Sequence, residues 1–358
     1  IIYYIKEALA MNQSSRCPFG TTRGGELVEL LTLDNGTISC EILTFGATLR
    51  TLTVPDREGK PVDVVLGYDH LSDYETRDGY LGAVVGRYAN RIAKGQFSLN
   101  GQTYSLAVNN GPNHLHGGIV GYSYRVWTVE ELTPQKAVLT LESPDGEEGY
   151  PGALSLRVTY SLEGSALSLH YEALAHGDTV CNLTNHSYFN LAGQGSGPVL
   201  DQTLSLCASR YTPADETSIP CGTLESVEGT PMDFRTPTPI GARIEDDFEQ
   251  LKLGHGYDHN YVVDGPVGTL RPAARAFSSK TGIVMETETT LPGMQLYTAN
   301  FLPEGCPGKG GASYGPRHAF CLETQFFPDS PNQPAFPSTV LRAWERYDHT
   351  TRFRFSCL

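Results

Sequence analysis

The sequence predicts an all-β protein, a single domain in which many antiparallel strands form large sheets packed face to face. Hydrophobic residues recur mainly with a period of two, the spacing of a strand with one buried face. The 358 residues include 38 glycines and 23 prolines, which mark many turns, and 19 tyrosines and 14 phenylalanines, which favour strands. Only 18% of the residues are charged, below the roughly 25% of an average globular protein.

Two segments carry a hairpin signature. In residues 97–106, Asn100-Gly101 separates two strand-like runs, and this pair favours a tight turn because both turn residues need positive φ. In residues 154–174 a similar turn is predicted near Glu163-Gly164. Residues 239–252 are the best helix candidate, with moderate periodicity. Further strands are predicted within residues 37–45, 203–213, 282–298, 319–327 and 351–357.

The chain shows no internal repeat and no Gly/Ser-rich linker. We therefore expect one domain over residues 21–358, preceded by a poorly ordered N-terminal extension over residues 1–20. No apolar run approaches the 18 or so residues of a membrane helix. The net charge of −14 argues against a nucleic-acid or anionic-membrane partner, because both need a basic face. The eight cysteines form no CxxC pair, which favours reduced thiols and a cytoplasmic location.

Patterns for nucleotide binding and serine hydrolysis are absent or weak. Neither GxxxxGK[ST] nor GxGxxG before a helix occurs, so no nucleotide cofactor is expected. Residues 311–315 match GxSxG around Ser313, and Asp329 and His349 follow in the order of a hydrolase triad. The flanks, CPGKG and Pro316, do not provide the strand and helix that a nucleophile elbow needs. A turn is therefore the favoured interpretation.

His114 and His116 raise the alternative of a metal site. Alternation along a strand would place both imidazoles on one face, and His186 or Glu323 could supply a third ligand. Where a cupin-type site would have a glutamate, this chain has Val120 and Gly121. We therefore predict no metal and interpret the two histidines as polar loop residues.

Two residues suit proton transfer. His186 lies in the polar and aromatic run NHSYFN, and a histidine has an ordinary pKa near neutrality. Glu323 lies in the otherwise apolar strand HAFCLETQFF, where half burial would raise its pKa toward the range of a base that is also an acid. Period two places Glu323 on the same face as Cys321 and Gln325. A structural histidine and a solvent-facing glutamate remain the alternatives.

Further polar residues have the chemistry of a polyol site. Asp258 can accept hydrogen bonds from hydroxyls, and Arg91 can donate to them. The amides of Asn90 and Gln295 can do both. Each charged residue could instead be half of a structural ion pair.

The segments that carry these residues resemble the aldose 1-epimerase family. The combination of NHSYFNL with LETQ is highly specific, and the similarity extends from about Gly25 to the C-terminus. Residues 143–152 and 347–356 also resemble the animal members. The resembling motifs, in order, are residues 90–106, 112–118, 182–193, 256–262, 292–301 and 321–334.

The resemblance implies a single-domain β-supersandwich and a cofactor-free enzyme that interconverts the α and β anomers of free hexoses such as D-galactose and D-glucose. It implies that His186 is the general acid and Glu323 the general base. Opening of the sugar ring would need a protonated His186 and an ionised Glu323 in the sugar complex. No obligate interface is evident, so we expect a monomer. The implied sugar-binding residues are Asn90, Arg91, His116, Tyr188, Asp258 and Gln295.

Three rival functions remain open on the sequence. The first is a hexose-6-phosphate epimerase, which would need extra basic residues around the sugar. The second is a non-catalytic sugar sensor on the same scaffold. The third is a glycosidase that uses Glu323 with Asp258 or another carboxylate.

Overall fold

Strands dominate the chain, whose computed structural model describes residues 14–358. The first strands are β1 (Ser15–Thr21), β2 (Leu27–Asp34), β3 (Ser39–Leu43), β4 (Thr48–Pro55), β5 (Pro61–Asp63), β6 (Val84–Val85), β7 (Arg91–Ile92), β8 (Gln96–Leu99), β9 (Gln102–Ser105) and β10 (His114–Leu115). The next are β11 (Thr128–Thr133), β12 (Lys136–Ser143), β13 (Leu154–Glu163), β14 (Ala166–Ala175), β15 (Thr179–Val180), β16 (Thr184–Asn185), β17 (Thr203–Leu206), β18 (Arg210–Tyr211), β19 (Glu225–Ser226) and β20 (Thr238–Pro239). The last are β21 (Asp258–Val262), β22 (Arg271–Phe277), β23 (Ile283–Thr289), β24 (Gly293–Tyr297), β25 (Cys306–Pro307), β26 (Ser313–Tyr314), β27 (Cys321–Gln325), β28 (Val340–Leu341) and β29 (Arg346–Cys357).

Helical structure is short and scattered. The α-helices are α1 (Leu71–Thr76) and α2 (Glu249–Leu253). The 3₁₀ turns are Ala93–Gly95, Tyr122–Tyr124, Glu147–Gly149, Ile240–Ala242, Lys309–Gly311 and Ser330–Asn332. In the described part of the chain, no helix is long and apolar enough to span a membrane.

Three large sheets organise the fold. A nine-stranded sheet has the order β11-β12-β13-β14-β29-β23-β22-β17-β20. A five-stranded sheet contains β1 to β5 in sequence order, and a second has the order β19-β18-β21-β24-β27. We call this last one the site sheet. Neighbouring strands within all three pair antiparallel, which confirms the all-β prediction.

One main apolar core joins the nine-stranded sheet, the site sheet and the β1–β5 sheet. Along β13, Leu156, Val158 and Tyr160 are buried while the residues between them are more exposed. These side chains share one apolar cluster with Met294 and Leu296 of the site sheet. Burial of alternate side chains from both sheets is what the period-two pattern requires.

Both predicted hairpins are confirmed. Strands β8 and β9 pair around Asn100 and Gly101, whose φ values are 54° and 79°. Strands β13 and β14 pair over ten residues on each side of the turn after Glu163. Both turns therefore form where the local sequence favours positive φ.

The predicted helix over residues 239–252 is wrong for most of its length. Only a 3₁₀ turn at Ile240–Ala242 and the short α2 form there. The spacing of Ile240, Ile244 and Leu251 resembles a helical face, but all three reach the core from a largely irregular segment. Tertiary burial therefore satisfies these apolar residues without a continuous helix.

The predicted N-terminal extension over residues 1–20 is described only from residue 14. Its part from Ser15 onward belongs to β1, which pairs with β2 as an edge strand of its sheet. Residues 1–13 lie outside the described residues.

The buried side chain of Arg87 holds the segment that continues to Asn90. Arg87 is 2% exposed, and its guanidinium donates to the carbonyl of Pro151 at 2.8 Å and the hydroxyls of Ser143 and Thr179 at 2.6 and 3.0 Å. These bonds link the segment that continues to Asn90 with strands of the large sheet. A buried arginine is stable only with such a set of acceptors.

Candidate active site

One cavity of about 460 Å³ collects most of the predicted site residues. Its lining includes Asn90, Arg91, His116, His186, Tyr188, Asp258 and Glu323. The eighth predicted residue, Gln295, reaches the same place through a hydrogen bond to Asp258. The other lining residues are Gly79, Tyr80, Asn110, Gly111, Pro112, Leu115, Glu216, Thr217, Ser218, Tyr297 and Phe301.

The register of the site sheet gives it one polar face and one apolar face. Gln295 lies directly across from Asn260 on one side and from Glu323 on the other. Because directly paired residues share a face, these three polar side chains form a row. The alternating residues Met294 and Leu296 point into the apolar core. Glu323 therefore belongs to a row of polar side chains on one face of the site sheet, while the opposite face packs into the apolar core.

Asp258 and Gln295 form a hydrogen-bonded pair on this face. Gln295 Nε2 donates to Asp258 Oδ1 at 2.7 Å. Burial raises the pKa of Asp258, while the nearby Arg91 guanidinium and the Gln295 bond act to lower it. The carboxyl of Asp258 and the amide oxygen of Gln295 can both accept hydrogen bonds from a ligand.

Asn90 and His116 hold each other in place. The backbone N–H of Asn90 donates to His116 Nδ1 at 3.1 Å, and the backbone N–H of His116 donates to the Asn90 carbonyl at 3.1 Å. Both residues have positive φ, 63° and 52°, an unusual conformation that the reciprocal bonds stabilise. Because Nδ1 accepts, the ring proton of neutral His116 lies on Nε2.

The ring proton on Nε2 of His116 argues against the alternative of a metal site. Atoms of His116, His186 and Glu323 lie within 4.8 Å of one another, close enough to hold an ion. A metal-ligating histidine normally donates through its second ring nitrogen, whereas His116 accepts there. In the tautomer that this bond selects, Nε2 has no free lone pair. The donor set thus suits hydrogen bonding to a ligand better than metal coordination.

His114 does not share a face with His116, contrary to the alternation considered for the metal site. Its Nδ1 lies 2.7 Å from the carbonyl of Ala107, and its Nε2 lies 2.5 Å from the Tyr150 hydroxyl. Strand β10 ends at Leu115, and the left-handed conformation of His116 redirects its side chain. His114 is a structural residue with both ring nitrogens occupied.

The ring of His186 is packed between tyrosines. Tyr188 stacks on it at 4.9 Å with an interplanar angle of 15°, and Tyr80 lies roughly parallel at 6.1 Å. The backbone of His186 is bonded to Ala83 and Gly82, so the side chain projects from a fixed position. Its Nε2 lies 3.6 Å from Glu323 Oε1.

Burial controls the charge state of both His186 and Glu323. It lowers the pKa of His186 to about 4. Burial also raises the pKa of Glu323 well above its ordinary value; the nearby Asp258 raises it further, and Arg91 opposes the rise. In the free pocket a neutral imidazole and a protonated carboxyl are therefore favoured.

The hydrolase alternative has no support in the geometry. Ser313 begins β26, which pairs with β25 rather than leading from a strand into a helix. His349 Nδ1 lies 3.1 Å from the Thr290 hydroxyl. Asp329 accepts from the backbone of Ala93 at 2.9 Å. The three candidate residues are thus engaged with different partners.

Sequence reasoning missed several aromatic residues of the cavity. Tyr80 contacts the rings of both His116 and His186, and the glycines at 79 and 82 on either side of it were its only local signal. Tyr297 and the exposed Phe301 stack at the rim, although both lie in a segment already noted for Gln295. A single aromatic residue, whether in a strand like Tyr297 or in a loop like Tyr80 and Phe301, gives no indication of lining a cavity.

Known proteins resemble the chain along most of its length. The family model described as aldose 1-epimerase matches residues 29–354. Galactose mutarotase from Homo sapiens is 45% identical over 347 residues, covering 97% of this chain and 99% of that protein. Aldose 1-epimerase from Escherichia coli K12 is 35% identical over 335 residues, covering 92% and 96%. A crystal structure of galactose 1-epimerase from Lactobacillus acidophilus matches with a TM-score of 0.84 and 28% identity, covering 97% and 99%.

Gly117 lies so close to the backbone of Gly86 that a side chain at this position should destabilise the protein. Gly117 has φ of 85°, and a Cβ there would overlap the carbonyl oxygen of Gly86. We expect Gly117→Ala to lower the free energy of unfolding by about 3 kcal/mol, from backbone strain and overpacking together. Gly146, with φ of 82° and open space around it, is the matched control, and Gly146→Ala should cost only about 1 kcal/mol. Urea unfolding of both variants measures the difference, and equal losses would contradict it.

Proposed function

The chain belongs to the aldose 1-epimerase family, and we propose from this premise that it interconverts the α and β anomers of free hexoses such as D-galactose and D-glucose. Membership confirms the resemblance noted in the motifs. The observation that carries the proposal is the buried pair of His186 and Glu323, 3.6 Å apart in a cavity lined with hydrogen-bonding groups.

The spacing of this pair suits chemistry at one carbon. Ring opening removes a proton from the C1 hydroxyl and adds one to the ring oxygen, and both oxygens are bonded to C1. Glu323 takes the first proton and His186 donates the second. Rotation about C1–C2 presents the other face of the aldehyde, and reversal of the proton transfers closes the ring. A positioned acid or base typically contributes about 10²–10⁴-fold each.

The two roles require a single proton shared by the pair. In the free pocket burial favours that proton on Glu323, whereas the opening step starts with it on His186. Within residues 14–358, Glu323 Oε2 is buried and has no hydrogen-bond partner, so the protein itself gives the carboxylate little stabilisation. Sugar hydroxyls that donate to the Glu323 carboxyl would stabilise the carboxylate and move the proton to His186. Substrate binding thus prepares the pair for catalysis.

The remaining residues hold the sugar away from C1, which must be free to turn. Arg91 and His116 Nε2–H donate to sugar oxygens, whereas Asp258 accepts from hydroxyls. Asn90 and Gln295 orient His116 and Asp258 through the bonds described above. Tyr188 supplies an aromatic surface beside the reacting carbon. Binding spread over these groups leaves the proton carriers free for the reaction.

The rival functions fit the cavity less well. Among the described residues that line it, Arg91 is the one Arg or Lys side chain, while three lining residues are acidic. This balance disfavours a phosphorylated hexose. Asp258 and Glu323 are two carboxyls in this cavity, but the group 3.6 Å from Glu323 is the imidazole of His186 rather than the second carboxyl that a typical glycosidase uses. We further propose that the protein acts without a cofactor, as a monomer, in the cytoplasm.

Polarimetry of freshly dissolved α-D-galactose tests the function directly. With the protein present, the optical rotation should relax faster to the same final value than in a buffer blank, because catalysis does not change the equilibrium. Galactose binding without faster relaxation would contradict the proposal and favour a sugar sensor. Release of sugar from a glycoside would instead indicate a glycosidase.

Replacement of each proton carrier tests its role. Glu323→Gln and His186→Asn should each lower kcat by about 10²-fold or more and change KM little, because sugar binding rests on other residues. Glu163→Gln, at the exposed end of β13 and outside the cavity, is a control for the loss of one carboxyl and should retain most of kcat. Near-normal kcat in Glu323→Gln would exclude Glu323 as the base.

The shared proton predicts the pH dependence of kcat/KM, which reports the free enzyme. On the acid side, activity should fall as pH approaches about 4, because His186 gains a proton and the pair then holds two. On the alkaline side, activity should fall as pH passes the raised pKa of Glu323, because the pair then holds none. Initial rates in overlapping buffers measure the profile. An acid limb centred near 6.5, the ordinary value for histidine, would contradict the assignment.

A further inference from the structure

One strand contacts both ring nitrogens of His186. Cys321 and Glu323 are alternate residues of β27, so their side chains lie on the same face of the site sheet. Cys321 Sγ lies 3.6 Å from His186 Nδ1, and Glu323 Oε1 lies 3.6 Å from Nε2. The imidazole therefore lies between a thiol and a carboxyl that are held at a fixed separation by the strand.

The thiol of Cys321 is a neutral neighbour rather than a reactive group. It has no solvent exposure, and its pKa is raised well above the ordinary value, first by burial and then by Glu323 and Asp258. A buried thiol of this kind neither attacks a substrate nor carries charge near neutral pH. Its remaining chemistry toward the ring is hydrogen bonding, in which the S–H group is a weak donor and the sulfur a weak acceptor, so the tautomer of His186 decides the direction.

Other ionisable groups and aromatic rings also lie near the His186 imidazole. His116 and the tyrosines at 80, 188 and 297 contribute ring contacts, and within residues 14–358 none of the four hydrogen-bonds to the His186 imidazole. Arg91 and Asp258 act on Glu323 with opposite signs. Within the described residues, Cys321 is thus the side chain in hydrogen-bond contact with Nδ1.

We propose that Cys321 is a positioning residue that accepts a hydrogen bond from His186 Nδ1–H and thereby directs the Nε2 lone pair at Glu323. The proposal rests on the proposed function for its catalytic meaning, but the tautomer it assigns is a property of the free protein. The unprotonated Nε2 then faces the carboxyl of Glu323 at 3.6 Å, a distance that must shorten for a proton to pass between them.

A thiol at Nδ1 of His186 affects proton transfer differently from a carboxylate in the same position. In many enzymes a carboxylate bonded to the second ring nitrogen stabilises the imidazolium. A neutral thiol does so only weakly, so the shared proton stays on Glu323 until sugar binds. Once His186 is protonated, its weakly stabilised imidazolium is a strong acid toward the poorly basic ring oxygen. Cys321 thus keeps His186 oriented without reducing its acidity.

The tautomer can be measured without any activity assay. ¹⁵N NMR of protein labelled at histidine distinguishes protonated from unprotonated ring nitrogens, and His186→Asn assigns the signals. At neutral pH we expect a proton on His186 Nδ1 and none on Nε2. In Cys321→Ala both signals should move toward intermediate values. A protonated Nε2 in the unsubstituted protein would overturn the proposal, whether or not the protein proves to be an epimerase.

Kinetics provides the second arm of the test. Cys321→Ala should lower kcat about three- to tenfold, the range that one net hydrogen bond corresponds to, with KM within about twofold. Cys321→Ser should retain most of kcat and raise the pKa of the acid limb, because a hydroxyl accepts more strongly than a thiol. Cys40→Ala removes an equally buried thiol from the core of the β1–β5 sheet and should change neither. If Cys321→Ala matches Cys40→Ala in kcat and in pH profile, Cys321 has no positioning role.

Discussion

The register of the site sheet is the constraint on which the active site depends. Antiparallel pairing of β21, β24 and β27 sends every second residue of each strand to the same face. On one face these residues complete the core against the nine-stranded sheet, and on the other they line up carboxyl and amide groups. A shift by one residue would turn the polar row into the apolar core and the apolar residues toward the cavity, so the stability of the core enforces the geometry of the site.

Burial on the polar face also sets the electrostatics. A charged pair at this depth would lose hydration on both members, and the attraction between them would not reliably repay the loss. The pair of His186 and Glu323 avoids this cost in the free protein by holding its single proton on the carboxyl. The empty site therefore avoids the desolvation cost of two buried charges, and the acid–base chemistry proposed above needs a polar ligand to create them.

Loops supply the groups that complete the cavity opposite the strands. Asn90 and His116 adopt left-handed conformations that most residues avoid, and each donates a backbone hydrogen bond to the other. Such strain persists only where the surrounding structure holds it. Here the buried guanidinium of Arg87 and the close approach of Gly117 to Gly86 provide that support. The loops that carry Asn90 and His116 thus keep the ring proton of His116 on Nε2, where it can donate to a ligand in the proposed function.

Sequence alone was sufficient for the all-β class, both hairpins and the family, because each rests on local alternation, turn chemistry or contiguous motifs. It also placed Glu323 beside Cys321 on one face, since period two is a property of any strand. It failed for residues 239–252, where apolar spacing does not distinguish a helix from an irregular buried segment. The contact of Cys321 with His186, 135 residues away, and the pKa shifts of the pair required the tertiary structure. Desolvation depends on what packs around a group in space, and no local pattern encodes that.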